Sequence, residues 1–262
     1  MRTALATRYV TPLREGGSLP GLMEADDDGL YVVKFRGAGQ GTRALIAELV
    51  GGEIGRALGL PVPEIIFIEL DPALGRNEPD YEIRSLILSS AGRNLGIDFL
   101  PGALPYLAAA PPPHATLDAD LASRIVWFDA YITNIDRTAR NTNMLIWNKR
   151  LWLIDHGAAL YFHHTWNNYV ERARDPFKAI REHTLLHRAT HLAQADAELR
   201  PKLTHETLET IVALIPDEWL GDEPTFANIA AHRAAYVEFL EARRDGADIW
   251  LKEAQDARTS RA

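Results

Sequence analysis

The sequence predicts an α+β protein of two lobes, a small N-terminal antiparallel sheet with one helix over residues 1–90 and a mostly helical C-terminal lobe over 91–262. Two observations carry this. The first third is built of β-branched and aromatic runs bounded by turn signals, with a single stretch that changes to helical spacing. The second half, apart from one short hairpin, has the composition of helices. The 262 residues are 47% hydrophobic and 24% charged, ample for a buried core and too apolar for disorder.

Taken in order, Leu30-Tyr-Val-Val-Lys-Phe35 follows the turn signal Asp26-Asp-Asp-Gly29, so residues 19–35 read as a hairpin. Over 41–58 the apolar residues Leu45, Leu49, Ile54 and Leu58 return at near-helical spacing, and Gly59-Leu60-Pro61 stops the helix. Further strands are expected at 64–70 and 81–88. The Gly- and Pro-rich run 91–116 reads as a connection, which sets the lobe boundary near Ser90. An amphipathic helix then spans 117–132, with Leu121, Ile125, Phe128 and Ile132 on its apolar face. A polar loop over 133–142 leads into short strands at 144–147 and 151–154. The remainder is helical, with Leu185, Leu186, Leu192, Ile211, Leu214, Tyr236 and Leu240 as core. Trp127, Trp147, Trp152 and Trp166 are expected to pack beneath the hairpin. His183, His187 and His191 recur every fourth residue; no carboxylate completes a metal site, so they read as a partly buried helix face.

Charge narrows the function. With 28 Lys+Arg against 36 Asp+Glu the formal net charge is −8, which argues against broad nucleic-acid binding, since phosphate contacts need a basic face. There is no cysteine, hence no disulfide, thiolate metal site or cysteine nucleophile. The first residues hold no apolar run of signal-peptide length, and nowhere do about 18 apolar residues run without a charge. A cytoplasmic protein with no membrane span is expected.

The chemistry concentrates in Asn134-Ile-Asp-Arg-Thr-Ala-Arg-Asn-Thr-Asn-Met-Leu-Ile146, followed by Leu151-Trp-Leu-Ile-Asp-His-Gly157. A carboxylate, Asp136, sits on a loop directly after a helix, Asn141 comes five residues later, and a second carboxylate, Asp155, ends the next hairpin at a Gly turn. Phosphoryl transfer needs such a set: one Asp to orient the attacking hydroxyl, and an Asn and a second Asp to hold the magnesium that neutralises a triphosphate. Spacing from Asp136 selects Asn141 as a metal ligand beside Asp155. Arg137 and Arg140 add positive charge next to Asp136. Nucleotide phosphates also need backbone N–H donors from a loop that can approach closely, and Gly16-Gly-Ser18, upstream of the hairpin, suits that task.

These residues resemble the protein-kinase-like superfamily, in particular the HipA-like kinases, with a loop also similar to that of phosphatidylinositol kinases. Asp136-Arg-Thr-Ala-Arg-Asn141 is similar to their Asp-Arg-x-x-x-Asn loop, and Asp155-His-Gly157 stands where kinases carry Asp-Phe-Gly. The resemblance implies a two-lobed protein-kinase-like fold, ATP and Mg²⁺ as cofactors, Asp136 as catalytic base, and Asn141 and Asp155 as metal ligands; since most kinases carry the asparagine directly before the strand, where this chain has Asn143, both asparagines are kept, with Asn141 preferred. It also implies a strand lysine and a helix glutamate, met by Lys34 in Val32-Val-Lys34 and by Glu48; alone, Lys34 reads as a solvent-facing strand residue, and Glu53 competes with Glu48. Lys34, with Gly16, Gly17, Ser18 and Glu48, then forms the nucleotide-phosphate site. The family implies a serine/threonine protein kinase and an antitoxin-like partner. A small-molecule or lipid-headgroup acceptor and a nucleotide-binding pseudokinase are the alternatives. Some 260 residues suffice for both lobes and little else.

Overall fold

Five strands close into a barrel in the computed structural model, which describes residues 1–13, 19–76, 78–108, 117–221 and 223–260. They are β1 (Thr3–Pro12), β2 (Gly21–Ala25), β3 (Leu30–Lys34), β4 (Ile65–Leu70) and β5 (Gly92–Asp98), ordered β1-β2-β3-β5-β4. The expected hairpin is β2–β3. All pairings are antiparallel except β1 with β4, which is parallel and closes the barrel, so the sheet is mixed rather than purely antiparallel. Met23, Val33, Ile66 and Ile68 fill the interior, each without exposed surface. The long β1 was absent from the sequence reading, its apolar residues being too sparse to announce a strand.

Two segments depart from expectation together. Residues 81–88 form a helix, α2 (Tyr81–Ser89), after α1 (Gly41–Ala57). Asp80 caps α2 by accepting from the N–H groups of Glu82 and Ile83, and Ile83 and Ile87, four apart, turn inward. The strand expected there is supplied by β5, which pairs with β3 and β4 and so extends the barrel past Ser90. Gly96 in β5 permits this: a Cβ there would lie 2.6 Å from Ile68 Cγ1. The residue that looked like a loop signal is a packing requirement.

Helix α1 ends as expected. Gly59, at φ +76°, follows the cap residue Leu58; its N–H donates to Arg56 O and the N–H of Leu60 to Gly55 O, a Schellman closure that satisfies the last carbonyls. The helix has little exposed face, and Leu45, Ile46, Leu49, Val50 and Ile54 belong to the same core as the helical part of the molecule.

Beyond the barrel, β6 (Leu104–Pro105) joins β7 (Met144–Trp147) and β8 (Arg150–Leu153) in a small sheet, and α3 (Ala119–Tyr131) lies before the polar loop. The tail carries α4 (Tyr169–Arg172), α5 (Leu192–Leu199), α6 (His205–Val212), α7 (Asp217–Leu220), α8 (Ile229–Asp245) and α9 (Ala247–Thr259). The expected core residues are buried, with Leu214 partly buried against them. The tryptophans divide: Trp147 and Trp152 meet edge-on on the hairpin, Trp127 packs on Tyr131 and Trp250, and Trp166 packs among Phe162, Phe226 and Tyr236. The three histidines share no helix face either. Residues 183–191 are broken into short turns, with His183 buried and His187 and His191 exposed. No described helix is long and apolar enough to cross a membrane.

Candidate active site

Strand β3 ends at Lys34, and α1 places Glu48 opposite it. Lys34 Nζ lies 2.5 Å from Glu48 Oε2 and 2.6 Å from Asp155 Oδ1, so three sequence-predicted residues meet at one point although Asp155 is 121 positions away. Glu48 is buried and Lys34 nearly so, while the Asp155 side chain keeps 43% of its surface exposed. Burial opposes the Lys34 charge, but Glu48 and Asp155 outweigh it and hold the ammonium above its ordinary range. Burial likewise opposes the Glu48 charge; Lys34 and His156 reverse this and depress its carboxyl, and the backbone N–H of His156 donates to Glu48 Oε2 at 2.8 Å. Glu53 pairs instead with Arg56 on its own helix. Asp155 holds a left-handed φ of +56°, turning the chain sharply before Gly157.

Across the loop, Asp136 Oδ2 accepts from Asn141 Nδ2 at 2.8 Å and from Asn143 Nδ2 at 3.2 Å, and its backbone N–H donates to Asn134 Oδ1. Asn141 is exposed, whereas Asn143 is buried and its carbonyl accepts from Ile154 N–H, one residue before Asp155. Gly16, Gly17 and Ser18 lie outside the described residues.

The loop stands on a buried hub that the sequence reading missed. Asp129, on α3, is fully buried; it accepts from Arg137 Nε at 2.6 Å, from His183 Nε2 at 2.9 Å and from Asn134 Nδ2 at 2.9 Å. Arg137 also donates to the carbonyls of Asn143 and Ile154, tying the loop to both strand ends. It therefore does not add positive charge beside Asp136 as expected: its guanidinium points inward and is neutralised by Asp129, leaving Arg140 on the surface. Burial opposes the Asp129 charge, yet Arg137 and His183 keep its carboxyl well below the usual range. An Asp within Val126-Trp-Phe-Asp-Ala-Tyr131 was the available signal, since a carboxylate in an apolar helix run has to be paired.

The same fold occurs in two solved kinases. The Helicobacter pylori proinflammatory kinase CtkA aligns with a TM-score of 0.55 at 14% identity, covering 90% of this chain and 94% of that one. The Golgi casein kinase, solved with Mn/ADP bound, aligns with a TM-score of 0.53 at 13% identity, covering 99% of this chain and 75% of that one. No curated protein matches in sequence. The model of the HipA-like kinase family matches residues 7–252, which takes in the barrel, the polar loop and most of the helical tail. The chain thus belongs to the HipA-like kinase family.

Proposed function

We propose that this kinase transfers the γ-phosphoryl group of ATP, with Mg²⁺, to serine or threonine hydroxyls of a protein. The observation that carries this is the convergence of Lys34, Glu48 and Asp155, facing a loop whose Asp136 is held by two asparagine amides. Glu48 fixes the Lys34 ammonium, which then meets the nucleotide phosphates as a preset positive charge. With Oδ2 engaged by Asn141 and Asn143, Asp136 keeps Oδ1 for the acceptor hydroxyl and takes its proton as the phosphoryl group leaves ATP.

The donor set fits magnesium. No group of three or more His, Cys, Asp or Glu side chains forms a metal cage among the described residues, and Mg²⁺ is usually held by one or two carboxylates plus phosphate and water. Asp155 supplies a carboxylate and an asparagine its amide oxygen. Asn143 suits that position better than Asn141, because its backbone is bonded beside Asp155; Asn141 then serves to orient Asp136. Held by Asp155 and an asparagine, the metal would supply positive charge to offset that of the phosphates. Gly16, Gly17 and Ser18 are retained as backbone donors to them.

Incubating the purified protein with γ-labelled ATP and Mg²⁺, alongside Asp136→Asn and Asp155→Ala, tests this. Nucleotide-dependent thermal stabilisation and protein phosphorylation are expected of the wild type. Asp136→Asn should retain binding while transfer falls by about 10²–10⁴-fold. Absence of both stabilisation and transfer overturns the proposal, and binding without transfer selects a nucleotide-binding scaffold. An Asn143→Ala enzyme whose Mg²⁺ requirement is unchanged while that of Asn141→Ala rises would reverse the two asparagine roles.

A further inference from the structure

A groove of about 550 Å³ opens in the helical part, and both Ile135, the neighbour of Asp136, and Lys178 line it. Part of its wall is apolar: Ile135 and Tyr161 keep 43% and 56% of their surface exposed, and Phe177 lines the groove with them. The lining is also cationic. Arg172, Lys178 and Arg243 line it with only Asp175 as a lining carboxylate, a local excess of positive charge in a chain of net charge −8. Arg243 is fully buried and donates to the carbonyls of Ala130, Ala173 and Asp175, while its Nε has no partner. Its charge is balanced by no salt bridge among the described residues; the rings of Phe177 and Trp250 lie 5.9 and 5.3 Å from its guanidinium carbon. Lys178 is exposed and makes no ion pair among the described residues.

Apolar side chains, one of them the sequence neighbour of the loop carboxylate, and cationic side chains share one open groove, which suits an amphipathic segment of polypeptide better than a compact metabolite. We propose that this groove docks the acceptor polypeptide, seating an apolar side chain against Ile135, Tyr161 and Phe177 and a carboxylate beside Lys178 and Arg172. The substrates are accordingly serine- or threonine-containing segments rich in acidic and apolar residues. This rests on the phosphotransfer proposed above.

The test uses two fluorescein-labelled peptides, one with a central serine flanked by leucine and glutamates, the other with lysines replacing the glutamates. Binding is read by fluorescence anisotropy without nucleotide, and transfer by steady-state kinetics with ATP and Mg²⁺. The wild type should bind the acidic peptide about tenfold more tightly than the basic one, Lys178→Glu should erase or invert that preference through KM, and Lys178→Arg should keep it. Equal binding of both peptides, or a preference unchanged in Lys178→Glu, overturns the groove assignment. Selective binding without transfer to any peptide keeps the groove and sinks the phosphotransfer reading, whereas transfer to both peptides without preference does the reverse.

Discussion

Two buried ion pairs flank the same loop and hairpin, and they differ in what completes them. Asp129 and Arg137 are both fully buried and satisfied by one another, by His183, by Asn134 and by two backbone carbonyls. Lys34 and Glu48 are nearly as buried, but the third member of their group, Asp155, stands half in solvent. A closed pair of this kind fixes geometry; an open one can exchange a partner for a ligand without exposing a bare charge. The difference separates a frame beneath the candidate site from the residues proposed to work in it, its working side.

Arg137→Met tests the frame and should show the largest effect, since it leaves Asp129 buried without its main counter-charge. A loss of about 3–5 kcal/mol by chemical denaturation is expected; a loss no larger than that of an exposed pair would break the distinction. Lys34→Met tests the working side. It should cancel the stabilisation of about 2.7 kcal/mol that a ligand gives at a hundredfold excess over its Kd, measured as the shift in denaturation midpoint with ATP and Mg²⁺. The Arg137→Met protein, where still folded, should retain part of that shift.

Acid should attack the frame next. His183 donates from Nε2 to Asp129 and accepts at Nδ1 from the N–H of Leu185, a pattern that only the neutral ring can make. Burial lowers its pKa from 6.5, partly offset by Asp129. The folded state thus resists a proton that the unfolded chain accepts, so this stability is complete above pH 6.5 and lost as the pH falls below it. Melting temperatures followed downward from neutral pH should decline, and His183→Gln should flatten that slope. Asp129, depressed below its ordinary value of 3.8, has the same sign in a lower window: its contribution is present above that value and lost on further acidification. Arg8→Ala, which removes an exposed pair with Glu24 on the barrel surface, should leave the denaturation midpoint unchanged and marks the lower end of the scale.

The working side was legible in the sequence because its residues sit on local signals: Lys34 at the end of a β-branched run, Glu48 within a helical period, Asp136 and Asp155 on turns. The frame was not. Asp129 lies mid-helix, and its partners Arg137 and His183 come from a loop and from a segment whose histidine spacing imitated a helix. Only the folded chain brings them together. The exchange between 81–89 and 92–98 has a similar cause. Tyr81, Ile83 and Ile87 carry strand propensity but follow an Asp cap, while Gly92, Asn94 and Gly96 look like a loop and yet pair with β4, Gly96 with β3 as well. The hairpin β7–β8 and helix α1 were legible because pattern and stop signal agreed.

The apolar core is divided in two. The barrel interior around Met23, Val33 and Ile68 forms one cluster, whereas the buried side chains of α1 belong to the helical part, which the barrel meets through Ile65, Phe67 and Leu95. Glu48 thus sits on the helix that packs into the larger core and is bonded to His156, while Lys34 ends a barrel strand. The Lys34–Glu48 contact is therefore a polar tie between the two apolar clusters, held on the α1 side by the N–H of His156.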